Sequence, residues 1–163
     1  PYDCGIVLCK DTEALTSALH QQGSYIQLSE QRDGLLYTPE MSKRARAIEL
    51  WAAMKYLGRN GIAELIEQLH KRAIFFARLL ADNRFIILNE VVFNQIIISC
   101  ETEQLTQKTL SFVQQSGECW CGGSTWDKKS VIRISLCSWA TTEQDIRRSV
   151  DVFIKARSQS LKT

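Results

Sequence analysis

Residues that most often indicate a catalytic or metal site are scarce in this sequence. It contains two histidines and two prolines, it has no Cys-x-x-Cys pair, and its formal net charge is only +2. Nucleic-acid binding needs clustered positive charge, which so small a net charge does not suggest. No apolar run reaches the roughly 18–20 residues that span a bilayer. We therefore expect neither a nucleic acid nor a membrane among the partners of this protein.

Recognisable catalytic motifs are also absent. The chain has no Gly-rich phosphate loop, no nucleophile elbow and no HExxH metal motif. Hydrophobic residues nevertheless make up 45% of the chain and charged residues 23%, as in ordinary soluble globular proteins. The composition thus predicts one or two small folded domains, and their function has to be argued from less specific patterns.

The cysteines raise the question of a metal or redox site. Zinc sites usually take two close ligand pairs, whereas His20 and His70 both lie far from any cysteine. Cys119-Trp120-Cys121 alternates like a β-strand, which would place its two thiols on one face. A metal or redox role is one interpretation of this pair. We favour the other, reduced and half-buried thiols of a cytosolic protein, and expect no metal site.

The first 37 residues predict a strand, a helix and a loop. Residues 5–9 are apolar and rich in β-branched side chains, which is typical of a buried strand. Residues 11–20 predict a short helix that Asp11 or Thr12 would cap. Residues 21–37 show no clear period, and a loop of that length is often functional.

Two long helices are predicted next. Thr38-Pro39 is a typical helix start, with a capping hydroxyl followed by proline at the first helical position. Gly58 would end this helix, and Asn60 would cap a second one that runs to about Asp82. Apolar residues recur at helical spacing along both segments, so each helix should bury one face.

From residue 84 onward the pattern alternates between strands and helices. The predicted order is β-β-α-β-β-α, which indicates an antiparallel sheet with helices packed on one face, an α+β arrangement. Thr102 would begin the first helix, and Thr141-x-x-Gln144 has the spacing of a capping box for the last one. The predicted strands cover 85–88, 95–100, 119–125 and 131–137.

Arg133 is the charged residue with the most informative surroundings. It lies in an alternating strand, where its side chain should share a face with Val131 and Ser135 and oppose Ile132 and Ile134. An arginine at such a position could be solvated on an outer sheet face. It could also hold a carboxylate through two parallel hydrogen bonds. Spacing alone favours the solvated face.

Several stretches along the chain, taken in order, carry a family resemblance. They are Pro1-Tyr2-Asp3-Cys4-Gly5 before the apolar run, residues 37–51 (YTPEMSKRARAIELW), Gly58-Arg59-Asn60-Gly61, and Ile132-Arg133-Ile134-Ser135 followed by Ser138. No single stretch is highly specific, and their collinearity over about residues 1–157 makes the case. In this order they resemble the group II pyridoxal-phosphate-dependent decarboxylases, which include the aromatic amino-acid and glutamate decarboxylases.

The resemblance implies a fold between α/β and α+β, the C-terminal portion of a fold type I enzyme. Residues 1–37 would end the large cofactor-binding domain and carry the active-site loop. Residues 38–82 would form connecting helices, and 83–163 a small α+β domain. The chain has no initiator methionine, and we expect it to be a segment of a longer protein. The lysine that binds the cofactor would precede Pro1, so we expect no catalytic residue in this segment.

The same resemblance implies roles for particular residues. Arg133 would hold the α-carboxylate of the substrate. Ser42 falls where the family usually has a glycine, near the phosphate of the cofactor, pyridoxal 5′-phosphate, and its amide and hydroxyl could contact that phosphate. The loop at 21–37 corresponds to a mobile active-site loop that bears a catalytic tyrosine in some members. Tyr25 and Tyr37 are the candidates here, with structural packing as the alternative for each.

The resulting hypothesis is a pyridoxal-phosphate-dependent amino-acid decarboxylase. Within it, this segment would position the substrate and contribute to closing the active site, without being catalytic alone. The implied intact protein is a cytoplasmic homodimer that acts on an amino-acid substrate. The alternatives are a non-catalytic α+β module that binds a small acid or a protein, and a catalytically inactive paralogue.

Overall fold

The chain divides into two structural units. The computed structural model describes residues 4–20, 26, 31–40 and 44–162. Internal contacts separate the first unit, Pro1–Gly58, from the second, Arg59–Thr163. The sequence-based division into 1–37, 38–82 and 83–163 assigns segments to their places in a longer enzyme, and it stays a prediction.

The first unit contains two short helical segments. Helix α1 spans Thr12–Leu19, and the Asp11 carboxylate caps it by accepting a 2.9 Å hydrogen bond from the backbone amide of Ala14. This confirms the predicted helix and one of its two predicted caps. A short 3-10 helix covers Gly34–Tyr37. Most of the predicted loop at 21–37 lies outside the described residues.

The predicted buried strand at 5–9 is wrong. Residues 4–9 have no regular structure, and Ile6, Val7 and Leu8 are 66%, 82% and 95% exposed. None of the strand pairings among the described residues includes this segment. Apolar, β-branched composition favours an extended chain, but a strand also needs a neighbouring strand to receive its hydrogen bonds.

The predicted helix start at Thr38-Pro39 is also wrong. The Thr38 hydroxyl donates to the carbonyl of Glu40 at 2.7 Å, so it does not cap a helix, and Pro39 and Glu40 lie outside any helix. Helix α2 spans Ala47–Asp82. Threonine hydroxyls readily make such local backbone bonds, and these compete with helix capping.

Gly58 interrupts helix α2, as predicted. Its backbone has φ of 62° and ψ of −175°, a conformation that glycine adopts without a steric penalty. The section after Gly58 buries a set of side chains at helical spacing on one face, and so supplies part of the core of the second unit. They are Leu69, Ala73, Phe76, Ala77 and Leu80.

The second unit contains a four-stranded antiparallel sheet. Its strands are β1 (Ile86–Ile87), β2 (Gln95–Ser99), β3 (Gly122–Trp126) and β4 (Lys129–Ser135), in the spatial order β1-β2-β4-β3. Asp127 and Lys128 join β3 to β4, and both have the positive φ that tight hairpin turns use. The predicted order of elements in this part of the chain is therefore confirmed.

Two capped helices complete the second unit. Helix α3 spans Glu103–Gln115, and Thr102 caps it as predicted. Helix α4 spans Glu143–Ser160, but its capping box is formed by Thr142 and Asp145, one residue later than the predicted pair. The Asp145 carboxylate accepts hydrogen bonds from both the hydroxyl and the amide of Thr142, and these bonds lower its pKa. A carboxylate is the stronger acceptor, which explains the shift in register from the Gln144 box.

One face of the sheet forms the hydrophobic core with the helices. Ile96 and Ile98 on β2 lie opposite Ile134 and Ile132 on β4, and all four are buried. Side chains from α3, α4 and the later section of α2 belong to the same cluster. Phe153 of α4 lies within it, and its ring meets those of Phe76 and Phe85 edge to face. The ring centroids are 6.0 Å and 5.7 Å apart.

Three thiols of the second unit are withdrawn from water. Burial, together with the neighbouring Cys119, raises the pKa of Cys121 to about 12. Burial also raises the pKa of Cys100 and that of Cys119. Cys137, by contrast, is exposed. We therefore expect these thiols to differ strongly in reactivity.

Replacement of Phe153 by alanine is predicted to lower the free energy of unfolding by about 3–5 kcal/mol, because it removes a buried ring and leaves a cavity. Phe93 is 42% exposed, so Phe93→Ala serves as the matched control, with an expected loss of about 1 kcal/mol. Urea unfolding of the 163-residue chain measures both variants. Equal losses would contradict the central position of Phe153.

Alkylation by iodoacetamide at pH 8 is predicted to reach Cys137 long before Cys121. The rise of the Cys121 pKa from 9.0 to about 12 lowers its thiolate fraction about a thousandfold, and burial also limits access. Mass spectrometry of the labelled peptides gives the two rates, with the unfolded chain in urea as the control. Comparable rates in the native protein would show that Cys121 is not withdrawn from solvent.

Candidate functional site

The face of the sheet opposite the helices carries Arg133. This residue lies in β4 between Ile97 of β2 and Gly122 of β3, its partners in the two neighbouring strands. Arg133 is exposed, whereas Ile132 and Ile134 on either side of it are buried. The alternation of β4 therefore directs the arginine away from the core, as the sequence predicts. We call this side of the sheet, which faces away from the helices packed in the core of the second unit, the open face.

The guanidinium of Arg133 has no hydrogen-bond or ion-pair partner within the described part of the chain. Other arginines of the second unit are engaged: Arg148 pairs with Glu118, Arg157 pairs with Glu101, and Arg72 donates to the carbonyl of Trp139. The parallel donors of Arg133 are thus available to a carboxylate, which a guanidinium can bind in a bidentate manner.

A cavity of about 330 Å³ lies at the end of β4. Ser135, which shares a strand face with Arg133, lines it together with Trp120, while Ile146 and Phe153 form part of its apolar wall. Cavities of this size accommodate small organic molecules. The open face and this cavity are therefore adjacent along β4.

The Cys119-Trp120-Cys121 stretch precedes β3 and lies beside the same cavity. Both thiols have raised pKa values, because burial penalises the thiolate that a metal would require. No group of three or more histidine, cysteine or acidic side chains in the described ranges is arranged to hold a metal ion. Cys119 is half-buried and Cys121 is buried.

Of the other predicted site residues, Tyr37 lies within the described part of the chain, and Tyr25 and Ser42 do not. Tyr37 ends the 3-10 helix of the first unit, where the Arg32 guanidinium lies 4.2 Å from its ring centroid. This is a packing contact worth about 0.5–1 kcal/mol at a partly exposed position. Tyr25 and Ser42 lie outside the described residues. Tyr37 belongs to the first unit and Arg133 to the second.

A cofactor held through a lysine needs a desolvated lysine, which loses its proton readily. No lysine among the described residues is buried, and Lys71 forms an exposed pair with Glu67. His70 is half-buried, with its Nε2 2.9 Å from the carbonyl oxygen of Val91, a structural contact. The described residues therefore do not form a complete site for such a cofactor.

No helix in the described ranges is long and apolar enough to cross a membrane.

Comparison with known protein families gives a match over most of the chain. The model of the pyridoxal-dependent decarboxylase conserved domain matches residues 1–100. An aromatic-L-amino-acid decarboxylase from Manduca sexta is 22% identical over 153 residues, which make up 91% of this chain and 30% of that protein. Arg133 lies beyond the residues that the family model matches.

Solved structures show the same fold. Oryza sativa TDC, crystallised with PLP and tryptamine, has a TM-score of 0.81 at 18% identity, over 91% of this chain and 34% of that chain. Catharanthus roseus tryptophan decarboxylase in complex with L-tryptophan has a TM-score of 0.74 at 18% identity, over 89% and 33%. These likenesses confirm the expected fold.

The chain spans about a third of the length of these relatives. The family match covers more than half of the chain, and the likeness of fold extends over most of it. The residue patterns that suggested a cofactor-dependent decarboxylase agree with both findings. The chain belongs to the pyridoxal-dependent decarboxylase family.

Proposed function

We propose that this chain is part of a longer polypeptide that removes the α-carboxylate of an amino acid as carbon dioxide, with pyridoxal 5′-phosphate as cofactor. Within that polypeptide the segment is not catalytic alone. It supplies Arg133 as the group that holds the substrate carboxylate. Family membership supports the reaction class, and the position of Arg133 supports the role of the segment.

The observation that carries the proposal is the unpaired guanidinium of Arg133 on the open face. Helices cover the opposite face of the sheet, and no described residue neutralises this arginine. A positive charge with its donors free at a surface is suited to an anionic ligand. An α-carboxylate has the planar geometry that a guanidinium binds through two parallel hydrogen bonds.

Holding the carboxylate contributes orientation. Decarboxylation breaks the bond between the carboxylate and the α-carbon, and the cofactor, when bound, supplies the electron sink for that step. Arg133 would fix the direction of the breaking bond, and such fixed orientation accounts for a large part of many enzymatic rate enhancements. The lysine that binds the cofactor belongs, in this proposal, to the rest of the polypeptide.

The proposed protein is a cytoplasmic homodimer. A homodimer is supported by exposed apolar side chains on α2, where Ile48, Trp51 and Met54 are more than half exposed. A cytoplasmic location is supported by the cysteines, all of which are free thiols. Contact between Ser42 and the cofactor phosphate, and a loop role for Tyr25 or Tyr37, complete the proposal.

A non-catalytic binding module is the second candidate. One observation favours it: the second unit, Arg59–Thr163, has a hydrophobic core of its own and presents Arg133 without help from the first unit. Such a module would bind an acid without turning it over. Cofactor absorbance and carbon dioxide release separate this candidate from the decarboxylase.

In the full-length protein, Arg133→Ala is predicted to lower kcat/KM for the amino-acid substrate by roughly 30- to 1,000-fold. This corresponds to the loss of about 2–4 kcal/mol from a charge-assisted contact. The measurement is carbon dioxide release by the cofactor-loaded protein. Arg148→Ala is the matched control, because Arg148 is an exposed helix residue paired with Glu118 and should matter little.

Two outcomes would contradict the proposal in different ways. Unchanged kinetics in Arg133→Ala, with cofactor absorbance intact, would exclude the carboxylate contact while leaving the decarboxylase assignment in place. A full-length wild-type protein that takes up no cofactor and releases no carbon dioxide would favour the binding module or an inactive paralogue.

A further inference from the structure

Trp120 presents an indole ring to solvent beside the open face. Its side chain is 77% exposed, although a tryptophan normally gains by burying most of its surface. Its Cη2 atom lies 3.9 Å from the position that a Cβ atom would occupy on Gly122. Gly122 is the partner of Arg133 across the β3–β4 pair, so that position is on the open face. The indole and the guanidinium therefore share one side of the sheet.

The position opposite Arg133 on β3 carries no side chain. Partners across an antiparallel pair have Cα atoms about 4.5–5.5 Å apart, and Gly122 places no side chain beside Arg133. Trp120 stands two residues before Gly122, at most about 7 Å along the chain. The cation–π contacts of the described residues involve Arg32 and Arg147, so Arg133 is not stacked on the indole. Both groups are therefore exposed to a ligand that approaches this side of the sheet.

The chemistry of this arrangement selects a particular kind of ligand. A guanidinium binds a carboxylate, and an indole face favours a flat, apolar ring through offset or edge-to-face contact. An aromatic amino acid carries both of these groups, a carboxylate and a flat ring. Trp120 also lines the 330 Å³ cavity, together with Ser135 and apolar side chains such as Ile146 and Phe153. This cavity extends the apolar surface beyond the indole.

We propose that Trp120 contacts the aromatic side chain of the substrate whose carboxylate Arg133 holds, and that it favours aromatic over aliphatic amino acids. This inference rests on the proposed function, because it assigns the ligand of the same site. Trp120 contributes affinity and selectivity and takes no part in proton transfer or bond breaking.

Direct binding to the cofactor-loaded full-length protein tests the contact without turnover. Indole-3-propionate has an aromatic ring and a carboxylate but no amine, so it cannot react with the cofactor aldehyde; hexanoate is the aliphatic counterpart. By calorimetry, Trp120→Leu is expected to weaken indole-3-propionate binding about fivefold to tenfold and to leave hexanoate binding within about twofold. Arg133→Ala should weaken both, and Trp120→Phe should retain most of the affinity for the indole acid.

Trp126→Leu is the matched control. Trp126 lies four residues beyond Gly122 on β3 and pairs with Lys129, about 13 Å along the strand from the row of Arg133. It is 44% exposed, and its loss should leave the affinity for both acids unchanged. An equal effect of Trp120→Leu and Trp126→Leu would overturn the proposal, because it would indicate a general loss of apolar surface.

Carbon dioxide release from L-tryptophan by the wild-type protein separates this inference from the proposed function. Release, together with binding of indole-3-propionate that does not depend on Trp120, would overturn the Trp120 contact alone. Binding of indole-3-propionate that depends on both Trp120 and Arg133, without release of carbon dioxide from any aromatic amino acid, would support the Trp120 contact. It would overturn the proposed decarboxylase function. Equal weakening of both acids in Trp120→Leu would also overturn the selectivity.

Discussion

The second unit depends on one packing constraint, which is that its helices pack against one face of its sheet. Because side chains alternate along a strand, β4 must bury Ile132 and Ile134 against the helices and expose the residues between them. The same constraint that closes the core therefore leaves Arg133 on the open face. The core and the proposed carboxylate contact thus use opposite sides of a single strand, and a shift of register by one residue would exchange them.

Features set by short-range chemistry could be predicted from the sequence. The break at Gly58, the Thr102 cap and the alternation around Arg133 each depend on a few neighbouring residues, and the structure has all three. Features that need a distant partner were predicted less well. Residues 5–9 have the composition of a strand, yet no described strand pairs with them. Thr38 has the sequence of a cap, but its hydroxyl bonds to Glu40 instead.

The candidate site, too, could be predicted only where it depends on neighbouring residues. Alternation predicts which way Arg133 points, but a strand pattern cannot say whether an exposed arginine is solvated or binds a ligand. Only the family resemblance of the stretch around Arg133 favours ligand binding over solvation. Trp120 had no predicted role, because its position beside Arg133 follows from the register between β3 and β4. Register joins residues that are distant in sequence, so no local pattern reveals it.

The most direct test of the proposed site is a crystal structure of the full-length, cofactor-loaded protein with a bound aromatic carboxylate. We expect two hydrogen bonds of about 2.7–2.9 Å from the Arg133 guanidinium to the ligand carboxylate. We also expect the ring of the ligand to lie against Trp120. A ligand whose carboxylate is held by other residues, with Arg133 directed into solvent, would contradict the proposed role of Arg133.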